Sequence, residues 1–520
     1  MPFTSSHVMT TATPTVAAIP GVWVHTTLPA SGAGTSGGAP AFLTADERDR
    51  LDRIRQARML LDGRHREYFL DEGRTQFDFP QVRAGGRLVP LYLTYNVLGL
   101  ISLKGTDLIF GDVPLIRATS AAQQAALDAL TDRCALHRLL YACALDASAE
   151  GECFLEACAH RGEVYLRQVP ADEIFPLGSV QPDGQYAAYV RRRVRNVGTV
   201  DAPVILLLEV TYLPGRIERR CFVVDPDGRG RTEVSLESWT ATTSESFKAD
   251  SITPEPGGRV GRGPDGRYAP LPNAPLTPVT HTWIGRNTIT WIPNQLVRGV
   301  AVSDYDGAIE LQDALNAKNS QVGRVLLKHS DPRMAMPEEM FDERGNVRTD
   351  QEVFAFTDPH RLPRYVTWDA ELQHAMTDRA FVLNQLLVRT ETSPALLGLK
   401  DGAAPEAYKK VRLESFNSLA KAGRKAAFWK SGLARALSVA QDLENALPNG
   451  PRYARGPIAI QLRDGIPMDE LERAERLAVL RGAGLISLER ALEEQLQDPS
   501  AVEKELARIQ GESLDDKPVN

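Results

Sequence analysis

Three groups of residues in this 520-residue chain have the types and spacing for chemistry. Gly261-Arg-Gly263-Pro-Asp-Gly266 repeats the spacing of a dinucleotide fingerprint, which works when a strand delivers the glycines to the positive end of a helix that holds a pyrophosphate. No apolar strand precedes it, and Pro264 with Tyr268-Ala-Pro occupies the place where the helix would begin, so the sequence predicts a loop. Lys400 could be a phosphate-binding lysine, but Gly-x-x-x-x-Gly-Lys-[Ser/Thr] occurs nowhere in the chain. The third group is basic. Arg191, Arg192, Arg193 and Arg195 are the densest run, and strand alternation puts Arg191, Arg193 and Arg195 on one face, which predicts a solvated sheet face or a partner surface. Lys409, Lys410 and Arg412 open a helix after a small-residue break at Ala403 to Pro405. The nine histidines are scattered, the five cysteines include no Cys-x-x-Cys pair, and neither a nucleophile motif nor a carboxylate pair in an apolar setting is present. The expectation is a protein that is not an enzyme, with no metal and no cofactor.

The elements that must carry these residues change character along the chain. Residues 1–40 are rich in Ser, Thr, Gly, Ala and Pro with no Lys or Arg, and read as a flexible arm. Thr44-Ala45-Asp46-Glu47 is a capping box that opens a charged helix to about Tyr68. A helix is expected over 121–147 from the spacing of Leu127, Leu130, Leu136, Leu139 and Leu140. Residues 152–224 alternate strand-like runs with turns and predict an antiparallel sheet, followed by a loose insertion over about 226–278. Two long helices come next. One starts at Ser303-Asp304 and carries Leu311, Leu315, Val322 and Leu326; the other starts near Asp369 and carries Leu372, Met376, Leu383 and Leu387. Both step by four, seven and four residues, which draws a single apolar stripe on each. Between them lies a small insert with a strand expected at 353–356. A helix over about 406–446, a strand near IleAlaIleGlnLeu and helices from near Pro467, Ser487 and Ser500 complete the chain.

The length calls for roughly three or four structural units. A hydrophobic content of 43% with 24% charged residues is ordinary for a globular protein. The longest apolar runs fall far short of the roughly 18–20 residues that span a bilayer, so no membrane contact is expected. A net charge of −7 makes the whole chain unattractive to DNA, so any such contact must be local.

The order of these parts resembles a phage portal protein of long-tailed double-stranded DNA phages, over roughly 45–512. The resemblance rests on IleProAsnGln at 292–295, GluLeuGlnAspAlaLeuAsnAlaLysAsnSer at 310–320, ThrSerProAlaLeuLeuGly at 392–398, and ProMetAspGluLeuGluArg with GlyAlaGlyLeuIleSerLeuGluArgAlaLeu over 467–492. Where the family carries Ser-Gly-x-Ala-Leu-Lys, this chain has Ala404-Pro405-Glu406-Ala407-Tyr408-Lys409. The resemblance implies an α+β fold with a wing of helices and antiparallel sheet over 41–302 and much of 406–465. It further implies a two-helix stem at 303–330 and 369–391, packed through the leucine stripes, and a small α/β clip at 331–368. A tunnel loop and long helix over 392–465 and a helical crown at 466–520 would follow. It implies a ring of twelve copies at one capsid vertex of the virion, assembled in the host cytoplasm. Double-stranded DNA would pass through the ring, and the partners would be the terminase large subunit, a head-tail adaptor, and the major capsid and scaffolding proteins. Lys400, Lys409, Lys410 and Arg412 would then lie nearest the DNA, or Lys409, Lys410 and Arg412 would be an exposed helix face meeting acids of the adjacent subunit. Another virion or adaptor protein, or a nucleotide-dependent DNA enzyme, are the competing readings.

Overall fold

The computed structural model describes residues 43–84, 87–160, 162–196, 204–224, 231–236, 239, 278–330, 333–335, 364–366, 372–399, 408–448, 450–463, 465, 470–496, 502 and 504–509. The arm 1–40, the Gly261–Gly266 loop, most of the 226–278 insertion, the strand expected at 353–356, Lys400 and the Ser500 cap lie outside them.

Thr44 caps α1 (Ala45–Leu61) as its residues dictate: its hydroxyl accepts from the Glu47 amide at 3.2 Å, and the Glu47 carboxylate accepts from the Thr44 amide at 2.9 Å. The helix stops short of the expected Tyr68 because Gly63 turns left-handed at φ 75; the chain resumes as a π-helical turn over Arg66–Asp71. A hairpin, β1 (Gln81–Ala84) and β2 (Arg87–Pro90), leads to α2 (Val97–Phe110), β3 (Leu115–Arg117), α3 (Ala121–Cys134) and α4 (Leu136–Glu150). The single helix expected over 121–147 is therefore two. Ala135 adopts φ 45, ψ 53 and breaks the backbone ladder, and the bend lets Leu127 and Leu130 of α3 share one core with Leu136 and Leu140 of α4. A left-handed alanine costs about 1–2 kcal/mol, which burial of four leucines exceeds.

The strand region forms two antiparallel sheets. β12 (Ile289–Pro293), β4 (Glu152–His160) and β5 (Glu163–Val169) make one, in that order; β10 (Arg231–Val234), β9 (Arg216–Val224), β8 (Ile205–Leu213), β7 (Tyr186–Asn196) and β6 (Ile174–Val180) make the other, with β11 (Val279–His281) also on β9. Phe154, Tyr189, Leu206 and Trp291 join them in one core.

The arginine run on β7 departs from the expected solvated face. Arg191 Nε donates to Glu173 at 2.6 Å, Arg192 bonds Glu209 at 2.9 Å and Glu47 at 2.8 Å, and Arg195 donates to the Trp239 carbonyl at 2.7 Å. The Arg192 guanidinium lies 4.7 Å from the Phe175 ring centroid. Carboxylates from α1 and neighbouring strands reach these guanidiniums and draw them in, leaving the Arg191 and Arg192 side chains only 12% and 13% exposed. Of the five unbonded thiols, Cys143, Cys153 and Cys221 are buried and Cys134 and Cys158 half-buried.

After a short hairpin, β13 (Leu296–Val297) and β14 (Val300–Ala301), comes α5 (Ile309–Ser330). It begins six residues later than expected, because Ser303 takes the Tyr305 amide on its own hydroxyl at 2.9 Å and Gly307 is left-handed at φ 69. β15 (Arg333–Ala335) and β16 (Arg364–Val366) pair at the far end of α5, and α6 (Leu372–Arg389) runs back along it, with Lys318 paired to Asp378 at 2.6 Å. A 3-10 turn, Pro394–Leu397, ends on left-handed Gly398. The helix expected over 406–446 is α7 (Tyr408–Glu414) and α8 (Phe416–Ala446), interrupted at buried Ser415. β17 (Ala459–Gln461) joins β3, and α9 (Glu470–Gly482) and α10 (Leu488–Leu496) follow. The long helix α8 belongs to the largest core: Trp429, Leu433, Leu437 and Ala440 are buried, and the Phe110 ring meets Trp429 edge-on at 5.0 Å. Among the described residues no helix is long and apolar enough to cross a membrane.

Candidate functional site: the junction of the paired helices and the long helix

The two long helices meet the rest of the chain through polar groups at the start of α5 and the end of α6. On α5, Gln312, Asn316 and Ser320 recur every four residues and form one row, all fully buried. They face the segment before α2 and bind its backbone. Ser320 Oγ accepts from the Leu93 amide at 2.9 Å, Asn316 Oδ1 from the Tyr95 amide at 3.1 Å, and Gln312 Oε1 from the Val97 and Leu98 amides at 3.2 Å. Every second amide of an extended chain points the same way, so a row of side chains on a helix can take amides 93, 95 and 97 in turn. Asn316 also donates to His65 Nδ1 at 3.0 Å and to the Tyr92 hydroxyl at 3.0 Å. His65 Nε2 faces the Leu60 carbonyl and Asn96 Oδ1, both acceptors, so its proton sits on Nε2; burial lowers its pKa and keeps it neutral.

In the turn that leads into α5 stands Asp304, its side chain 1% exposed. It pairs with Lys425 and, at 3.0 Å, with Lys421, both on α8. Ser148 Oγ of α4 donates to it at 2.5 Å, Asn294 at 3.2 Å and Gln295 at 3.1 Å. Burial alone would raise the Asp304 pKa, but the two ammonium groups and these donors overcome it and hold the carboxyl well below the usual carboxylate range. Burial, reinforced by Lys421, brings Lys425 down to about 8 despite its carboxylate partner.

The same face of α8 holds the turn that follows α6. Glu391 is left-handed at φ 52, with its amide bonded to the Val388 carbonyl at 3.2 Å and the Thr392 amide to Leu387 at 2.8 Å, which closes a Schellman-type end without a glycine. Lys421 Nζ donates to the Thr390 carbonyl at 2.8 Å, Arg424 pairs with Glu391 at 2.6 Å, and the Ser393 amide donates to Ser418 Oγ at 2.8 Å.

Of the residues expected to pack the stem, Leu315 and Leu387 are buried with Leu386, Tyr305 and Ala308, and Leu311 and Leu383 pack half-buried against them. Val322 is buried, while Leu326 and Met376, at the end of the helix pair distant from the wing, are 45% and 41% exposed. Leu372 begins α6. Lys409, Lys410 and Arg412 all lie on α7, where Lys410 and Arg412 are exposed. Lys400 is outside the described residues.

Sequence reasoning passed over Asp304, Lys421, Lys425 and the Gln312–Asn316–Ser320 row. A signal for the row existed in the four-residue recurrence of polar side chains beside the leucines, and Lys421 with Lys425 repeats it within an alanine-rich stretch. The quoted family-like pieces turn out to supply this junction: Asn294 and Gln295 from the first, the row from the second, Ser393 from the third.

Among solved structures similar to the chain is one described as the neck of an empty GTA particle computed with C6 symmetry, at 12% identity and a TM-score of 0.39, covering 76% of this chain and 89% of that one. Another is the virion of a native gene transfer agent particle, at 13% identity and 0.38, covering 77% and 90%. A third is the neck of a native GTA particle computed with C12 symmetry, at 13% and 0.37, covering 76% and 88%. No individually curated protein sequence matches significantly. Residues 275–518, just under half of the chain, match the profile of the family described as phage portal protein, SPP1 Gp6-like, a stretch that contains both long helices, Asp304 and all of α8.

Proposed function

We propose that the chain forms a ring of twelve copies at one capsid vertex, through which double-stranded DNA is packaged and ejected and on which the terminase large subunit and the head-tail adaptor dock in turn. The observation that carries this reading is the pairing of α5 with α6, closed at one end by the β15–β16 ribbon and tied at the other to the wing, within the stretch that matches the portal family. Such a pair has faces left over for neighbouring copies, and a head-to-tail contact between unlike faces closes into a ring when its rotation permits. The exposed Leu326 and Met376, near the insert, are suited to neighbours of that kind.

The DNA-facing residues in this reading are Lys400, Lys409, Lys410 and Arg412. Each phosphate neutralised adds about 0.9 to the salt slope of binding, and a ring multiplies every contact, so a channel for a sliding duplex needs few cations in a generally acidic wall. A net charge of −7 and the internal pairing of the β7 arginines fit that need. Negative-stain imaging of the purified protein is expected to give rings with a central hole; compact monomers at high concentration would overturn the proposal. Reversing Lys409 and Lys410 to Glu is expected to shorten the packaged DNA with ring assembly intact. Normal packaging in normal rings would assign these residues to an exposed helix face, and loss of the ring would assign them to the contact between subunits.

A further inference from the structure

We infer that Asp304 with Lys421 and Lys425 is a positioning device that fixes the exit of α6, where the tunnel segment leaves the stem, relative to the start of α5; this rests on the portal reading for its purpose but not for its geometry.

One carboxylate with two ammonium groups carries an excess positive charge, which in a buried site is costly unless it has a second use. The second use lies at the end of α6. Lys421 reaches past Asp304 to the Thr390 carbonyl, at the C-terminal end of α6, where the helix concentrates unbonded carbonyls and partial negative charge. Lys421 thus links a residue preceding α5 to the residue that follows α6, and neither link depends on the leucine contact between the helices. Ser418 and Arg424, one turn away on either side, bind Ser393 and Glu391. Less than two turns of α8 therefore hold the wing-side ends of both stem helices, and the hydrogen bond between Ser393 and Ser418 clamps the chain where it leaves that turn and where it returns.

The cavity beside the triad, lined by Gly105, Thr392, Lys421 and Lys425 among others, is about 20 Å³. That is about the space one water needs, and the charges already meet one another and the Thr390 carbonyl. Ser148 and the Asn294–Gln295 pair bring the wing into the same arrangement, so the exit of α6 is set against wing and stem together.

The test separates positioning from stability by replacing the triad with apolar groups of similar size, a change that often leaves stability intact or raises it. Asp304→Leu/Lys421→Met/Lys425→Met is compared with Asp304→Asn and the native full-length protein, by amide hydrogen exchange and urea unfolding. In the triple variant the unfolding midpoint is expected at or above the native value, while exchange at Thr392 and Ser393 quickens by about tenfold or more and exchange at Phe154 and Leu155 on β4 stays unchanged. Native exchange at Thr392 and Ser393 in a folded triple variant would overturn the inference. Should the triple variant fail to fold, the same tenfold rise confined to Thr392 and Ser393 in Asp304→Asn is required, and a uniform rise over all amides would overturn the inference equally. Because the measurement needs no ring and no DNA, it can fail while the portal reading survives, and ring imaging can fail while it succeeds.

Discussion

Asn316→Ala should weaken the joint between α5 and the segment that leads into α2 by about 2–4 kcal/mol. The side chain is fully buried and uses all its capacity: Oδ1 accepts from the Tyr95 amide and from Gln312, and Nδ2 donates to His65 and to Tyr92. Alanine leaves the Nδ1 lone pair of fully buried His65 without its donor and the Tyr95 amide without its acceptor, and a buried polar group so stranded costs roughly 1–3 kcal/mol. The Tyr92 hydroxyl can turn elsewhere and adds little. Asn316→Asp sharpens the test, because it keeps the shape and Oδ1 but places a carboxylate oxygen against His65 Nδ1. That contact becomes favourable only when His65 takes a second proton. A histidine whose folded pKa is raised by such a partner contributes stability that is complete below its unfolded pKa, about 6.5, and lost as pH rises through the folded value. The deficit of Asn316→Asp relative to the native protein should therefore be smaller at pH 6 than at pH 9, whereas that of Asn316→Ala should be the same at both. Urea midpoints at the two pH values, with amide exchange read at Leu93, Tyr95 and Leu98, measure this. A pH-independent deficit for Asn316→Asp, or unchanged Tyr95 exchange in Asn316→Ala, would refute the assigned tautomer or the row itself.

Lys425 has a folded pKa near 8, below its ordinary 10.5, so the native state gives up this proton before the unfolded chain does and gains stability as pH rises between those values. The native protein should gain about 2 kcal/mol over Lys425→Met between pH 7.5 and 9.5 in paired urea titrations, and a gap that narrows would contradict the assigned shift. Gly432→Ala should cost about 1–2 kcal/mol although helix propensity favours alanine. The added Cβ would stand 2.5 Å from Cγ1 of fully buried Ile292, and a rise in thermal midpoint would show that β12 yields. Trp429→Ala should cost about 3–5 kcal/mol by emptying the largest core beside Phe110; a loss under about 1 kcal/mol by denaturant unfolding would mean α8 is not part of that core.

Apolar periodicity made the long elements legible. Leu315 and Leu387 sit in the core shared by α5 and α6 because a four-seven-four step leaves one face for burial, and the antiparallel sheets follow from strand-like runs separated by turns over 152–224. What the pattern could not reveal was where one residue departs from regular geometry for the sake of packing. Ala135 splits a helix because both halves bury leucines in the same core, and alanine does not announce a left-handed turn; Gly307, which delays α5, is of a type that permits one without requiring it. The β7 arginines were misread for a related reason: strand alternation tells which face a side chain takes but not which carboxylate from a distant helix, such as Glu47, will come to meet it. Asp304 was invisible as a site because its partners lie more than a hundred residues away on α8.

The row of Gln312, Asn316 and Ser320 works as a vernier between two unequal scales. Four residues of helix advance about 6.0 Å, while two residues of extended chain advance about 6.6 Å. Each rung therefore slips by about half an ångström, which hydrogen bonds of 2.9–3.2 Å absorb over three rungs and would not absorb over many more. The chain acts accordingly: where a fourth rung would fall, the Leu91 amide turns away to the Pro80 carbonyl at 2.7 Å, and the Leu93 side chain lies over Gly323, where its Cδ1 would be 2.5 Å from an added Cβ. The mismatch thus sets the length of the joint, and sliding the segment by one residue would turn its amides away from all three acceptors at once.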